Sequence, residues 1–203
     1  MGVGNSTSAG IGIAVIVVAG GRSTRFDGDK LVMQVHGSPL RQHAIDAALR
    51  LTDNVVVVGP SDPSVAVRMV REDPEFGGPF AAVAAGVSAL DLAPDDIVIV
   101  LAADLVDPGP ALPALIDALA NHGPNIDAAV LVDSGHHRQP LLSAFRAAPL
   151  QALLAATDPV GRPANQLFDG LHVIEVSDQG GWARDIDTAG DLADEIARPP
   201  QNP

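Results

Sequence analysis

The chain has no cysteine, no tyrosine and a single lysine, Lys30, among its 203 residues. Without cysteine there is no disulfide framework, no thiolate metal centre and no cysteine nucleophile. The absence fits a cytoplasmic setting. Basic charge is scarce as well: 12 Lys and Arg stand against 25 Asp and Glu, a formal net charge of −13. A nucleic acid or an anionic membrane surface calls for a basic face, so neither is expected as a partner. The apolar run 11–19 falls far short of the about 20 residues that span a bilayer. The leader MGVGNSTSAG carries no Lys or Arg and so lacks the basic region of a signal peptide. Gly2 and Ser6 fit the loose N-myristoylation pattern, which small-residue leaders often match. Residues 1–11 and 198–203 are read as flexible tails.

What remains is an apolar chain of globular balance, with 47% hydrophobic and 18% charged residues. Its length predicts one domain with a core of its own. Short β-branched runs alternate with helical periodicity. Strands are predicted at 11–19, 54–59, 66–72, 96–104, 127–133, 139–146 and 172–178. Helices are predicted from Ser38 to Leu51, with Ser38 as cap and Pro39 at the first helical position, and from Gly78-Pro79 to about Leu90. Further helices are expected at 110–120, 149–156 and 188–197. The alternation predicts a mostly parallel sheet covered by helices on both faces, in three layers, with one antiparallel strand near the end. In such sheets ligands bind at the carboxyl ends of strands, which directs attention to the loops after Ala19, Gly59, Asp104 and Asp178.

The loop after the first strand reads VVAGGRSTRFDGDKL (17–31). It fits neither standard phosphate pattern. The G-x-G-x-x-G fingerprint fails because Gly20 and Gly21 are adjacent with no third glycine in place, and the P-loop pattern fails because Asp29 separates Gly28 from Lys30. The physics still favours a phosphate cradle. Glycines let backbone amides approach an anion, and Arg22, Arg25 and Lys30 place three cations within nine residues of an acidic chain. The competing reading is an ordinary glycine-rich turn with solvated cations.

AGGRSTRFDGDK (19–30) resembles the signature of nucleotidyltransferases that read roughly L-A-G-G-x-S-x-R-M-G-x-D-K, and most of all that of the molybdenum cofactor guanylyltransferases. EDPEFGGPFAAVAAGVSAL (72–90), VLAADL (100–105), RQPLLSAFR (138–146) and DIDTAGDLADEI (185–196) are similar to later segments of the same family, in the same order. The resemblance covers residues 12–197 and implies a single Rossmann-like α/β nucleotidyltransferase domain. It implies transfer of GMP from GTP to molybdopterin, a small phosphorylated acceptor, with release of pyrophosphate. It also implies that Ala19, Gly20, Gly21, Arg22, Ser23, Lys30, Asp73, Gly78 and Asp104 meet the nucleotide, and that Arg25 and Lys30 neutralise the triphosphate. At the second of these segments, Glu75 competes with Asp73 for the same contact. The double glycine resembles the guanylyl branch more than the cytidylyl branch, which reads L-A-A-G. Three places depart from the pattern: Phe26-Asp27 replaces Met-Gly, Ala103-Asp104-Leu105-Val106 replaces C-D-x-P, and Gly59-Pro60-Ser61 replaces an Asn-containing turn. Asp27 adds a negative charge beside the expected triphosphate. A cytidylyltransferase, a guanylyltransferase for another phosphorylated acceptor, and a non-catalytic nucleotide-binding module therefore stay open as alternatives.

Nucleotidyl transfer calls for a divalent cation, and Mg²⁺ takes a few carboxylates together with phosphate oxygens and water. Asp104 ends a strongly apolar strand on the ligand side of the sheet, and the resemblance makes it the principal metal ligand. Asp185 and Asp187 flank Ile186, so in extended chain both carboxylates share one face. Asp187 is expected as the second metal-site residue with Asp185 as neighbour, while a role for Asp187 in capping the last helix stays open. His136-His137 are read as a solvated loop, since adjacent histidines diverge. Arg138 is a candidate contact for an anionic acceptor. Trp182, the lone tryptophan, is read as packing rather than stacking on a ring.

Overall fold

A computed structural model describes residues 11–20 and 29–198 of the chain. Strands β1 (Ile13–Val18), β4 (Val55–Val58) and β6 (Ile97–Ala102) are runs of Val, Ile, Leu and Ala without polar alternation. Such runs suit strands buried on both faces. Strands β4 and β6 flank β1 in parallel, and the short β5 (Arg68–Val70) adds a parallel edge to β4. On the other side β8 (Arg138–Arg146) runs antiparallel between β6 and β7 (Ala128–Val132), and β9 (Val173–Ser177) closes that edge parallel to β7. The seven strands lie in the order β5-β4-β1-β6-β8-β7-β9.

Successive side chains of a strand point to opposite faces, and the core divides accordingly. Val15, Val17, Val55, Val57, Ile99 and Leu101 pack against helices α1 (Leu40–Leu49) and α3 (Ala111–Asn121). Ile16, Val18, Val56, Val58, Val98 and Val100 pack against α2 (Pro79–Ala89), α4 (Ala147–Ala155) and the 3-10 segment Ala164–Phe168. Gly86 lets α2 lie close to the sheet, because a Cβ there would sit 2.6 Å from Ile16 Cγ2. Among the described residues no helix is long and apolar enough to cross a membrane.

One predicted element is corrected. Ser38 does not cap a helix. Ser38–Pro39 forms strand β3, paired antiparallel with β2 (Gln34–Val35). The turn between them uses positive φ at His36 (48°) and Gly37 (89°), which suits a tight hairpin and draws Ser38 into the ladder. Helix α1 starts at Leu40, after Pro39 and without a side-chain cap. The hairpin carries Val35 into a small third core with Leu40, Val106 and Ile186, and this core bears on the site described next.

Leaving β1, the chain builds β4 and β5 on one side and then crosses to β6 on the other. The carboxyl ends of β1 and β6 therefore border the point where strand order reverses, the usual ligand crevice of an open α/β sheet.

Candidate active site

Asp104 follows β6 at that crevice. Its segment pairs with the chain after β9: Leu105 and Asp185 form an antiparallel bridge, Val106 N–H donates to Arg184 O at 3.0 Å, and Ile186 N–H donates to Asp104 O at 3.3 Å. Ile186, 1% exposed, is driven into the third core, so the flanking carboxylates turn outward together. One carboxylate oxygen from each of Asp104, Asp185 and Asp187 lies within 4.8 Å of the others. Among the described residues this is the one group of acidic or histidine side chains spaced to hold a metal ion.

Lys30 enters this cluster from the 3-10 turn Lys30–Val32, which Asp29 caps by accepting from Leu31 N–H at 3.0 Å. Its ammonium donates to Ile186 O at 2.8 Å and to Asp187 Oδ1 at 2.9 Å, and stands 2.9 Å from Asp104 Oδ2. Burial on its own would lower the Lys30 pKa. The hydrogen bonds and charges of Asp104 and then Asp187 outweigh it and hold the ammonium above the usual lysine range. Burial raises the Asp185 pKa, and the neighbouring charges of Asp187 and Asp104 raise it further. Three carboxylate oxygens around one point are of the hard-donor kind that could hold a divalent cation, and the Lys30 ammonium stands against two of them.

The segment bearing the aspartates is anchored at both ends. Asp178 collects the N–H groups of Gly180, Trp182 and Ala183 at 3.0, 2.9 and 3.0 Å. Burial opposes its ionisation, but the N–H bonds from Ala183 and Trp182 prevail and lower its pKa. Trp182 packs against the α1 and α3 side of the core, in keeping with the packing reading. At the other end α5 (Ala189–Ala197) is capped by Thr188 in a reciprocal box with Asp191. The capping role thus falls to Thr188 and Asp191, and the Asp187 carboxylate faces Lys30 instead. Glu195 of α5, 4% exposed, stands 3.0 Å from Arg184 and 3.1 Å from His36, tying helix, hairpin and aspartate segment together.

Beside the cluster opens a cavity of about 480 Å³. Asp104 and Gly20 line it together with the start of α2 (Gly78, Pro79, Ala82) and with Val18, Ala102 and Leu141. Gly78 precedes α2 with φ 94°, a conformation that favours glycine, and Pro79 opens the helix.

Several expected residues meet here: Gly20, Lys30, Gly78, Asp104, Asp185 and Asp187. Ala19 stands at the end of β1, its N–H bonded to Val58 O at 2.8 Å. Gly21, Arg22, Ser23, Arg25 and Asp27 lie outside the described residues. Asp73 and Glu75 are exposed, and Glu75 pairs with Arg71 at 2.8 Å. Of this acidic stretch it is Glu72 that lines the cavity, which sequence reasoning missed, along with Phe76. A buried carboxylate inside the acidic stretch R-E-D-P-E has no distinguishing spacing, so nothing marked Glu72 out. Arg138 lies at the ligand end of the sheet but pairs with Glu175 at 2.7 Å. His137 is exposed and stands 3.5 Å from Asp133, consistent with a solvated loop.

A family model described as the MobA-like NTP transferase domain matches residues 15–172. The chain belongs to the MobA-like NTP transferase family. A molybdenum cofactor guanylyltransferase of Burkholderia lata is 35% identical over 174 residues, covering 74% of this chain and 80% of the relative. One from Vibrio cholerae is 28% identical over 190 residues and covers 88% of each chain. The crystal structure of molybdopterin-guanine dinucleotide biosynthesis protein A from Archaeoglobus fulgidus superposes with a TM-score of 0.65 at 18% identity, over 91% of this chain and 97% of that one. At that identity the likeness is one of fold. Within this MobA-like chain the carboxylate cluster and the cavity share the crevice at the strand-order reversal.

Proposed function

We propose that this MobA-like chain is a guanylyltransferase of molybdenum cofactor synthesis, acting through residues 12–197 as one unit. It transfers GMP from GTP to the phosphate of molybdopterin and releases pyrophosphate. A phosphate oxygen of the acceptor attacks the α-phosphorus in line. The bond from that phosphorus to the bridging oxygen breaks, and the electron pair leaves with pyrophosphate. No covalent enzyme intermediate is needed. The observation that carries the reading is the Lys30 ammonium seated between Asp187 and Asp104, the latter lining a cavity of about 480 Å³.

The residues present fit a Mg²⁺ ion: Asp104 and Asp187, with Asp185 beside them, would hold it. When bound, the ion supplies positive charge where negative charge builds on the α-phosphate and on the departing pyrophosphate. Lys30 turns from the carboxylates to the triphosphate and stabilises the leaving charge. The resemblance of the motif assigns Gly20, Gly21, Arg22, Ser23 and Arg25 to the phosphates, through glycine amides and guanidinium forks. Gly78 and the start of α2 seat the nucleoside against backbone. Catalysis is then positioning plus fixed electrostatics. A cytoplasmic setting, where GTP is supplied, goes with this reading.

The test is pyrophosphate release from a panel of GTP, CTP, ATP and UTP, with molybdopterin as acceptor and Mg²⁺ present. Release with GTP alone is expected. Release with CTP but not GTP replaces the base, and binding of GTP without release from any acceptor replaces the enzyme by a nucleotide-binding module.

A further inference from the structure

The segment that carries Asp185 and Asp187 is held by little backbone. Its pairing with the chain after β6 is one isolated bridge, Leu105 to Asp185, flanked by the bonds from Val106 N–H to Arg184 O and from Ile186 N–H to Asp104 O. Side chains alternate along such a segment, so Arg184 and Ile186 share the face opposite the two aspartates. Ile186 is one inward anchor, seated with Val35, Leu40 and Val106. A single anchor is a pivot, and a second one two residues away stops the segment from turning about it. Arg184 is that second anchor, and its partner is Glu195 of α5.

With Glu72, Glu195 is one of two buried carboxylates among the described residues. Three side chains meet it. Arg184 Nε and Arg198 Nη1 stand 3.0 and 3.2 Å from Oε2, and His36 Nε2 stands 3.1 Å from Oε1. A charge persists in burial only when it is paired. Leu192, three residues earlier on α5, packs on the same small core as Ile186, so the helix brings an apolar contact and a charge to one segment. Arg184 Nε is buried and makes no hydrogen bond among the described residues, so its tie to Glu195 is one of charge rather than of fork geometry. Gly181, at φ 72°, leaves room for the guanidinium: a Cβ there would stand 3.2 Å from Arg184 Nη1.

We infer that Glu195 is a positioning residue for the carboxylate cluster: its charge on Arg184 locks the register that turns Asp185 and Asp187 toward Asp104. This rests on the reading of the cluster as a Mg²⁺ site and deepens it. A slip of one residue would turn the aspartates into the small core and Ile186 out of it. Fixing register is the best-attested use of a buried ion pair, whose net contribution to stability is often small.

The experiment titrates Mn²⁺ without nucleotide, followed by electron paramagnetic resonance, and measures amide hydrogen exchange in the same proteins. These are the unaltered chain, Glu195→Gln, Arg184→Met, Arg184→Lys and Arg198→Met. Glu195→Gln and Arg184→Met should each weaken Mn²⁺ binding by about tenfold, the scale for residues that orient metal ligands. The Val106 and Ile186 amides should exchange faster in both, while those of β1 keep their rates. Arg184→Lys keeps the charge and should bind Mn²⁺ as the unaltered protein does, a rescue that a packing role would not give. Arg198→Met removes a cation from the same carboxylate without touching the segment, and should leave Mn²⁺ affinity unchanged. Unchanged affinity in Glu195→Gln or Arg184→Met overturns the inference. Equal weakening in Arg184→Lys or Arg198→Met, or equally faster exchange in β1, overturns it as well. No Mn²⁺ binding by the unaltered protein overturns the metal reading of the cluster, and exchange at Val106 and Ile186 then decides the anchor by itself.

Discussion

Lys30 is the chain's one lysine, and its ammonium makes three contacts of 2.8–2.9 Å inside an acidic cluster. Two consequences can be measured. Lys30→Met should cut turnover by about 100-fold, the loss expected on removing an electrostatic stabiliser. The same variant should bind Mn²⁺ more tightly than the unaltered protein when no nucleotide is present, because the metal no longer displaces an internal cation. Electron paramagnetic resonance of free Mn²⁺ reads this directly, and equal affinities would show that lysine and metal do not compete. Asp178 gives a pH prediction. Its folded pKa is lowered, so the stability it contributes is present above the ordinary carboxylate pKa and is lost as pH falls through the lowered value. Denaturation of Asp178→Asn across acidic pH should show a shallower acid loss than the unaltered protein. That Lys30 and Asp104 belong to one site was legible from the motifs around them, and the two meet at 2.9 Å. Glu72 was not, because its burial follows from the turn after β5 rather than from any spacing in the sequence.

At the scale of elements, the aspartate segment depends on what flanks it. Thr188 and Asp191 cap α5 reciprocally, and Asp191 Oδ2 also accepts from Asp187 N–H at 3.1 Å. Thr188→Ala should cost about 1 kcal/mol of stability. It should also speed hydrogen exchange at Asp187 and in the first turn of α5 more than in β1, which separates local loosening from global loss. The apolar strands were plain from composition, since β1, β4 and β6 are buried on both faces and need no alternation. The hairpin of β2 and β3 was hidden. Ser38-Pro39 carries a strong helix-start signal, and it was overridden by left-handed residues at 36 and 37 and by the packing of Val35 on Leu40 and Ile186. That override matters for the site, since the same small core turns Asp185 and Asp187 outward.

For the whole molecule, the order β5-β4-β1-β6-β8-β7-β9 places one strand-order reversal at β1 and β6, and the carboxylate cluster and the cavity both open there. The alternating pattern of the sequence foretold the parallel sheet and the antiparallel strand that became β8. It could not foretell that residues 156 positions apart, Lys30 and Ile186, would meet through a single hydrogen bond. The net charge of −13 argues against a polyanion-binding face but not against a polyanionic ligand, because carboxylates can meet a nucleotide through a cation. GTP-dependent guanylyl transfer at the Asp104 cluster leaves a product that can be weighed. Mass spectrometry of products from GTP, Mg²⁺ and molybdopterin tests it most directly, with Asp104→Asn run alongside. The prediction is a guanine dinucleotide of molybdopterin and one pyrophosphate per product, with the Asp104→Asn yield down by about 100-fold. Equal yields from the two proteins, or no dinucleotide from the unaltered one, would contradict it.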